Sequence, residues 1–143
     1  MRALRIAVCV TGLLTALCGP VLAGNQAEEG EKDFQVLCSP CHGPTATGNG
    51  PAAAGLETPP ADLTLIATRH GGIFPEELIF ETIAGLDMPD AHGTRAMPVW
   101  GDVFVSEAVG ESTDLEDALA ASDQAARRIG NLVRFLESIQ AAQ

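Results

Sequence analysis

Cys38-Ser39-Pro40-Cys41-His42 constrains this chain more than any other stretch. Two thiols three positions apart, followed directly by an imidazole, match the attachment signature of a c-type haem. Chemistry sets the spacing: each thiol can add across one vinyl group of the porphyrin, and the adjacent His42 can then reach the iron from one face. Two other readings share these letters. A Cys-x-x-Cys pair can be a thiol redox couple, which wants a βαβ surround, or half of a zinc site, which wants a second ligand pair of similar spacing. Neither context is visible in the sequence: no cysteine follows Cys41, and His70 and His92 are not paired at helical or knuckle spacing.

Met1-Arg2-Ala3-Leu4-Arg5 is a short basic segment, Ile6 to Leu17 is apolar and uncharged, and Gly19-Pro20 leads into the small-residue site Val21-Leu22-Ala23. The pattern predicts a secretory signal peptide over residues 1–23, cleaved after Ala23, and a single domain over residues 24–143. The apolar run is short for a bilayer span, and Leu17 before Cys18 is not the small residue that lipidation of that cysteine wants. Cleavage would remove Cys9 and Cys18 and leave Cys38 and Cys41 as the cysteines of an exported chain, so no structural disulfide is expected. The formal charge is −11, and loss of Arg2 and Arg5 with the leader would make it −13. A surface this acidic repels nucleic acid and anionic lipid and steers the chain toward positively charged partners, although the same carboxylates also keep an exported protein soluble.

Gly30, Phe34, Leu37, Cys38 and Cys41 recur at helical spacing and predict a helix with the first thiol on its apolar face; Glu28, Glu29 and Glu31 suit its positive end. Pro40 and Gly43-Pro44 are expected to break that helix, with His42 projecting from the first turn of a loop. Gly30-x-x-x-Phe34 before Cys38-x-x-Cys41-His42-Gly43 resembles the N-terminal helix of class I c-type cytochromes, the soluble bacterial monohaem kind. The resemblance extends over nearly all of the chain after the leader. It implies an all-α cytochrome c fold: a small helical domain around one haem c, covalent through Cys38 and Cys41, with Gly30 and Phe34 packing against a crossing C-terminal helix.

Thr45 to Pro60 is rich in Gly, Ala, Thr and Pro and reads as loop. Within it, Gly48-Asn49-Gly50-Pro51 is similar to the family's Gly-Pro segment, which implies that the Pro51 carbonyl accepts a hydrogen bond from the second ring nitrogen of His42; a plain turn residue is the other reading of Pro51. Asp62 to Arg69 is a short helix candidate ended by Gly71-Gly72, and Pro75 stands as the first residue of a helix carrying Leu78, Ile79, Ile83 and Leu86. From Ser122 onward, Ala125, Ile129, Leu132, Val133, Leu136 and Ile139 share one face, with Arg127, Asn131 and Arg134 opposite. The acidic stretch from Val105 to Asp123 reads as a surface connector. No strand-like alternation and no repeat is present.

A sixth ligand decides what such a haem does. His42 alone leaves the iron open to small molecules, whereas a second protein ligand closes it for electron transfer. Met88, Met97, His70 and His92 are the candidates. Met97-Pro98-Val99-Trp100-Gly101 resembles the ligand loop of the class I family, which implies His42 and Met97 as the iron ligands. Trp100 could then bond a haem propionate through its indole N–H, and Arg69 or Arg95 could pair with one, although each arginine reads first as a solvated surface charge. The expected activity is one-electron transfer in the periplasm with no catalysis of its own, between redox protein partners bearing basic docking surfaces and without stable membrane insertion. The alternatives are a haem c subunit of a periplasmic oxidoreductase complex, or a ligand-binding or peroxidase-like haem protein.

Overall fold

The computed structural model describes residues 21–86 and 97–142, and no strand occurs among them. Helix α1 (Val21–Asp33) runs through a π turn (Phe34–Cys38) into a short α2 (Ser39–His42). After the loop come a 3-10 turn (Leu63–Leu65) continuous with α3 (Ile66–Arg69), then α4 (Glu76–Ala84), α5 (Trp100–Val109) and α6 (Leu115–Ser138).

The first helix meets the last at a glycine. A Cβ on Gly30 would stand 2.0 Å from the carbonyl oxygen of Asn131 and 2.9 Å from the amide nitrogen of Leu132, so the two backbones touch where α1 crosses α6. One turn further on, the rings of Phe34 and Phe135 pack with centroids 5.1 Å apart, both buried. Ala125, Ile129, Leu132, Val133 and Leu136 of α6 supply much of the core, closed by Ile83 from α4 and Phe104 from α5. Burial of each large apolar side chain is worth about 1.5–3 kcal/mol, so α6 is the element on which the others depend. The all-α fold with crossed terminal helices is thus the one the sequence implied.

Four local expectations change. Pro40 does not end the helix. The π turn moves the Ser39 amide from the Gln35 carbonyl to that of Phe34, and the Ser39 hydroxyl takes the vacated Gln35 carbonyl at 2.6 Å. A new helix starts there, and Pro40 falls in its first turn, where a missing N–H costs nothing. His42 is therefore the last residue of a helix that Gly43 stops at φ 80°. Pro75 is the N-cap of α4 rather than its first residue.

The stretch from Val105 to Asp123 is not a connector: it completes α5, turns at Gly110, and forms the first turns of α6. Asp114 caps α6 by accepting from the Glu116 amide at 2.7 Å, and Glu116 and Asp117 complement the helix dipole. Asp114→Ala is expected to remove about 1 kcal/mol, read as a lower midpoint in urea with an unchanged slope. Asn131, expected on the solvent side, is half-buried because its backbone forms the Gly30 contact.

Candidate functional site

Loop 43–62 folds back on the end of α2 through its backbone. Gly48 N–H donates to the His42 carbonyl at 2.8 Å, Gly50 N–H to Cys41 at 3.0 Å and Ala52 N–H to Pro40 at 2.9 Å. These bonds satisfy carbonyls that a helix end leaves orphaned. The fit demands glycine at position 50, where a Cβ would lie 2.4 Å from the Pro40 oxygen and 2.5 Å from that of Cys41. The attachment motif is thus gripped by main chain.

The loop then brings Ala61 to His42. Nδ1 of His42 lies 3.1 Å from the Ala61 carbonyl oxygen. A carbonyl can only accept, so Nδ1 carries the proton and Nε2 keeps the lone pair that a metal needs. This is the tautomer the motif requires, but the acceptor is ten positions beyond the one the resemblance implied. Pro51 sits exposed in the turn between Gly50 and Ala52, and it is its two neighbours that grip α2.

Ala61 is itself fixed from a distance. Asp62 caps the following turn through Thr64, and Leu63 N–H donates to the Ala46 carbonyl at 2.8 Å. From beyond α6, Gln140 accepts from the Ala67 amide at 2.8 Å and donates to the Leu63 carbonyl at 2.9 Å. The C-terminal end of the chain thereby helps to orient the histidine near its start.

Cys38, Met97 and Trp100 all pack, partly buried, against the one apolar cluster that contains Phe34, Ile83 and Phe104. Trp100 opens α5 with its ring 5.8 Å from that of Phe104. Met88, His92 and Arg95 lie outside the described residues. His70 closes α3 with Nδ1 2.8 Å from the Ile66 carbonyl, and it is exposed, as is Arg69.

No disulfide joins Cys38 to Cys41. Burial, then the charges of Asp33 and Cys41, push the Cys38 thiol up to about 12. A thiol redox couple works through a readily formed thiolate, and the strands it wants are absent among the described residues, so that reading loses its support. The zinc reading fares no better: among the described residues no three His, Cys, Asp or Glu side chains are grouped as metal ligands. The donor set fits haem c instead, with two thiols for the vinyl groups, an imidazole presenting Nε2, and an apolar wall including a thioether and an indole.

Sequence reasoning missed Ala61 and Arg128. Arg128 donates to both carboxylate oxygens of Asp33 at 2.9 Å and to Glu107 at 2.7 Å, with its guanidinium carbon 3.9 Å from the centroid of Phe104. It joins α1, α5 and α6. A cation next to the apolar stripe of α6 and an acid between Gly30 and Phe34 were the signal for that pair.

No curated protein and no solved structure matches the chain. A family model described as cytochrome c oxidase, cbb3-type, subunit III matches residues 25–111, which include most of α1, the Cys38–His42 motif, Met97 and α5. With that match over more than half of its length, the chain belongs to this family of c-type cytochromes and carries covalently bound haem c.

Proposed function

We propose that the chain is an exported, periplasmic one-electron carrier whose haem iron is ligated by His42 and Met97. The observation that supports the reading is the His42–Ala61 contact: a proton on Nδ1 facing that carbonyl makes Nε2 the ring nitrogen suited to ligate iron. When bound, haem c supplies one-electron cycling between ferrous and ferric iron. The chain's own groups do the rest. Ala61 fixes the imidazole ring, and the second-sphere bond raises its basicity. Met97 offers a soft, neutral thioether that favours the ferrous state, and the surrounding apolar side chains disfavour the extra charge of the ferric one. Trp100, one turn from Phe104, is available to donate its indole N–H to a propionate.

Met97→Ala is expected to abolish the weak far-red band of methionine-ligated ferric haem and to yield a high-spin spectrum, while Met88→Ala keeps both features of the wild type. The reverse result would move the ligand to Met88. A wild-type protein that is already high-spin and binds carbon monoxide readily would favour the ligand-binding reading.

A second reading follows from the family's own description as an oxidase subunit: the chain works inside a respiratory oxidoreductase complex. No helix among the described residues is long and apolar enough to cross a membrane. Isolation from the native host separates the two, because a stoichiometric partner marks a subunit and a free monomer marks a carrier. In either case the acidic surface favours redox partners with basic docking faces.

A further inference from the structure

We propose that Arg128 is a positioning residue that sets the reduction potential, by acting as the counter-charge to Asp33 beside the haem attachment motif. The inference rests on the electron-transfer reading above and concerns a residue outside the iron's ligand set. Asp33 is the last residue of α1, directly before the π turn that ends in Cys38. Its carboxylate is felt at the Cys38 thiol, after burial the largest influence there. It is three-quarters buried, as is Arg128, so solvent screens the pair less than it would on an open surface.

The geometry is that of a strong pair. Nε and Nη2 of Arg128 hold the two oxygens of Asp33 at 2.9 Å each, and Nη1 holds Glu107 at 2.7 Å. The guanidinium lies 3.9 Å over Phe104, which is fully buried and belongs to the cluster that Cys38, Met97 and Trp100 pack against. One cation between two carboxylates leaves a single net negative charge at this wall. Ferric haem carries one more positive charge than ferrous haem, so nearby negative charge favours the ferric state and lowers the potential. Arg128 opposes that effect.

The charge count gives a test that a purely structural latch fails. In the full chain loaded with haem, Arg128→Gln leaves two uncompensated carboxylates. It is expected to shift the ferric-to-ferrous ratio at a fixed ambient potential about three- to tenfold toward ferric, tenfold being about 59 mV for one electron. Asp33→Asn shifts it the opposite way. The double variant returns to within about twofold of wild type although its unfolding midpoint stays low, and Arg128→Lys keeps most of the wild-type ratio.

Potentials that follow the unfolding midpoints, with the double variant the most displaced, would overturn the proposal. If Arg128→Gln does not accumulate as folded protein, Asp33→Asn decides alone, and an unchanged ratio there overturns it. A purified wild-type chain without covalent haem would instead bring down the functional reading, and the inference with it, a result distinct from an unmoved potential in a haem-bearing protein.

Discussion

Replacing Gly30 with alanine is expected to lower the thermal unfolding midpoint by roughly 10 °C, whereas the same change at Gly130 raises it by a few degrees. Both glycines lie inside helices, where alanine is intrinsically better by about 0.5–1 kcal/mol. At Gly130 no atom stands within 4 Å of the added carbon, so that preference is realised. At Gly30 the new carbon would meet the Asn131 carbonyl at 2.0 Å. The clashing atoms are backbone, which cannot rotate aside, so α1 must back away from α6 by more than an ångström. Overpacking of this kind costs about 1–3 kcal/mol, and the retreat also loosens the Phe34–Phe135 contact and the Asp33–Arg128 pair. Thermal melts followed by helical circular dichroism on the haem-loaded protein give both midpoints. Equal shifts of the same sign would mean that the helices do not cross at Gly30.

The second large effect is chemical. Cys38→Ala with Cys41→Ala is expected to eliminate covalent haem, seen as loss of the haem stain on a denaturing gel, while each single change leaves one thioether and a reduced, heterogeneous product. The double variant should also unfold at lower temperature, because a group that binds the native state and not the unfolded chain stabilises by mass action. It loses both covalent anchors of the macrocycle beside the apolar wall of Phe34, Met97 and Trp100. Undiminished haem staining in the double variant would refute attachment through this motif.

How much of this was readable beforehand depends on which atoms carry the information. Gly30 and Phe34 announced the helix crossing through the resemblance to class I cytochromes, and the thiol–imidazole motif suggested its cofactor by the spacing of two thiols and an imidazole, with a redox couple or a zinc site sharing the same letters. The acceptor for His42 was not legible, since any residue owns a carbonyl and Ala61 has nothing else to distinguish it; Pro51 drew the assignment through the resemblance of Gly48-Asn49-Gly50-Pro51 to the family's Gly-Pro segment. The start of α6 was hidden for a different reason. Its first turns expose Leu115 and Leu119 and bury nothing before Ala121, so the apolar periodicity begins two turns late. Asp114 followed by Glu116 and Asp117 was the cue that would have placed it. Pro40 misled because its effect depends on whether the helix restarts, which the Ser39 hydroxyl decides.

The π turn between Asp33 and Cys38 has one more consequence. A regular helix advances about 100° per residue, so side chains committed to α6 at Gly30 and Phe34 would dictate where every later side chain points. The single extra residue in that turn resets the phase. It carries the chain from Gly30 and Phe34, which pack against α6, into the short helix that holds Cys41 and His42, while Cys38 stays against the apolar cluster.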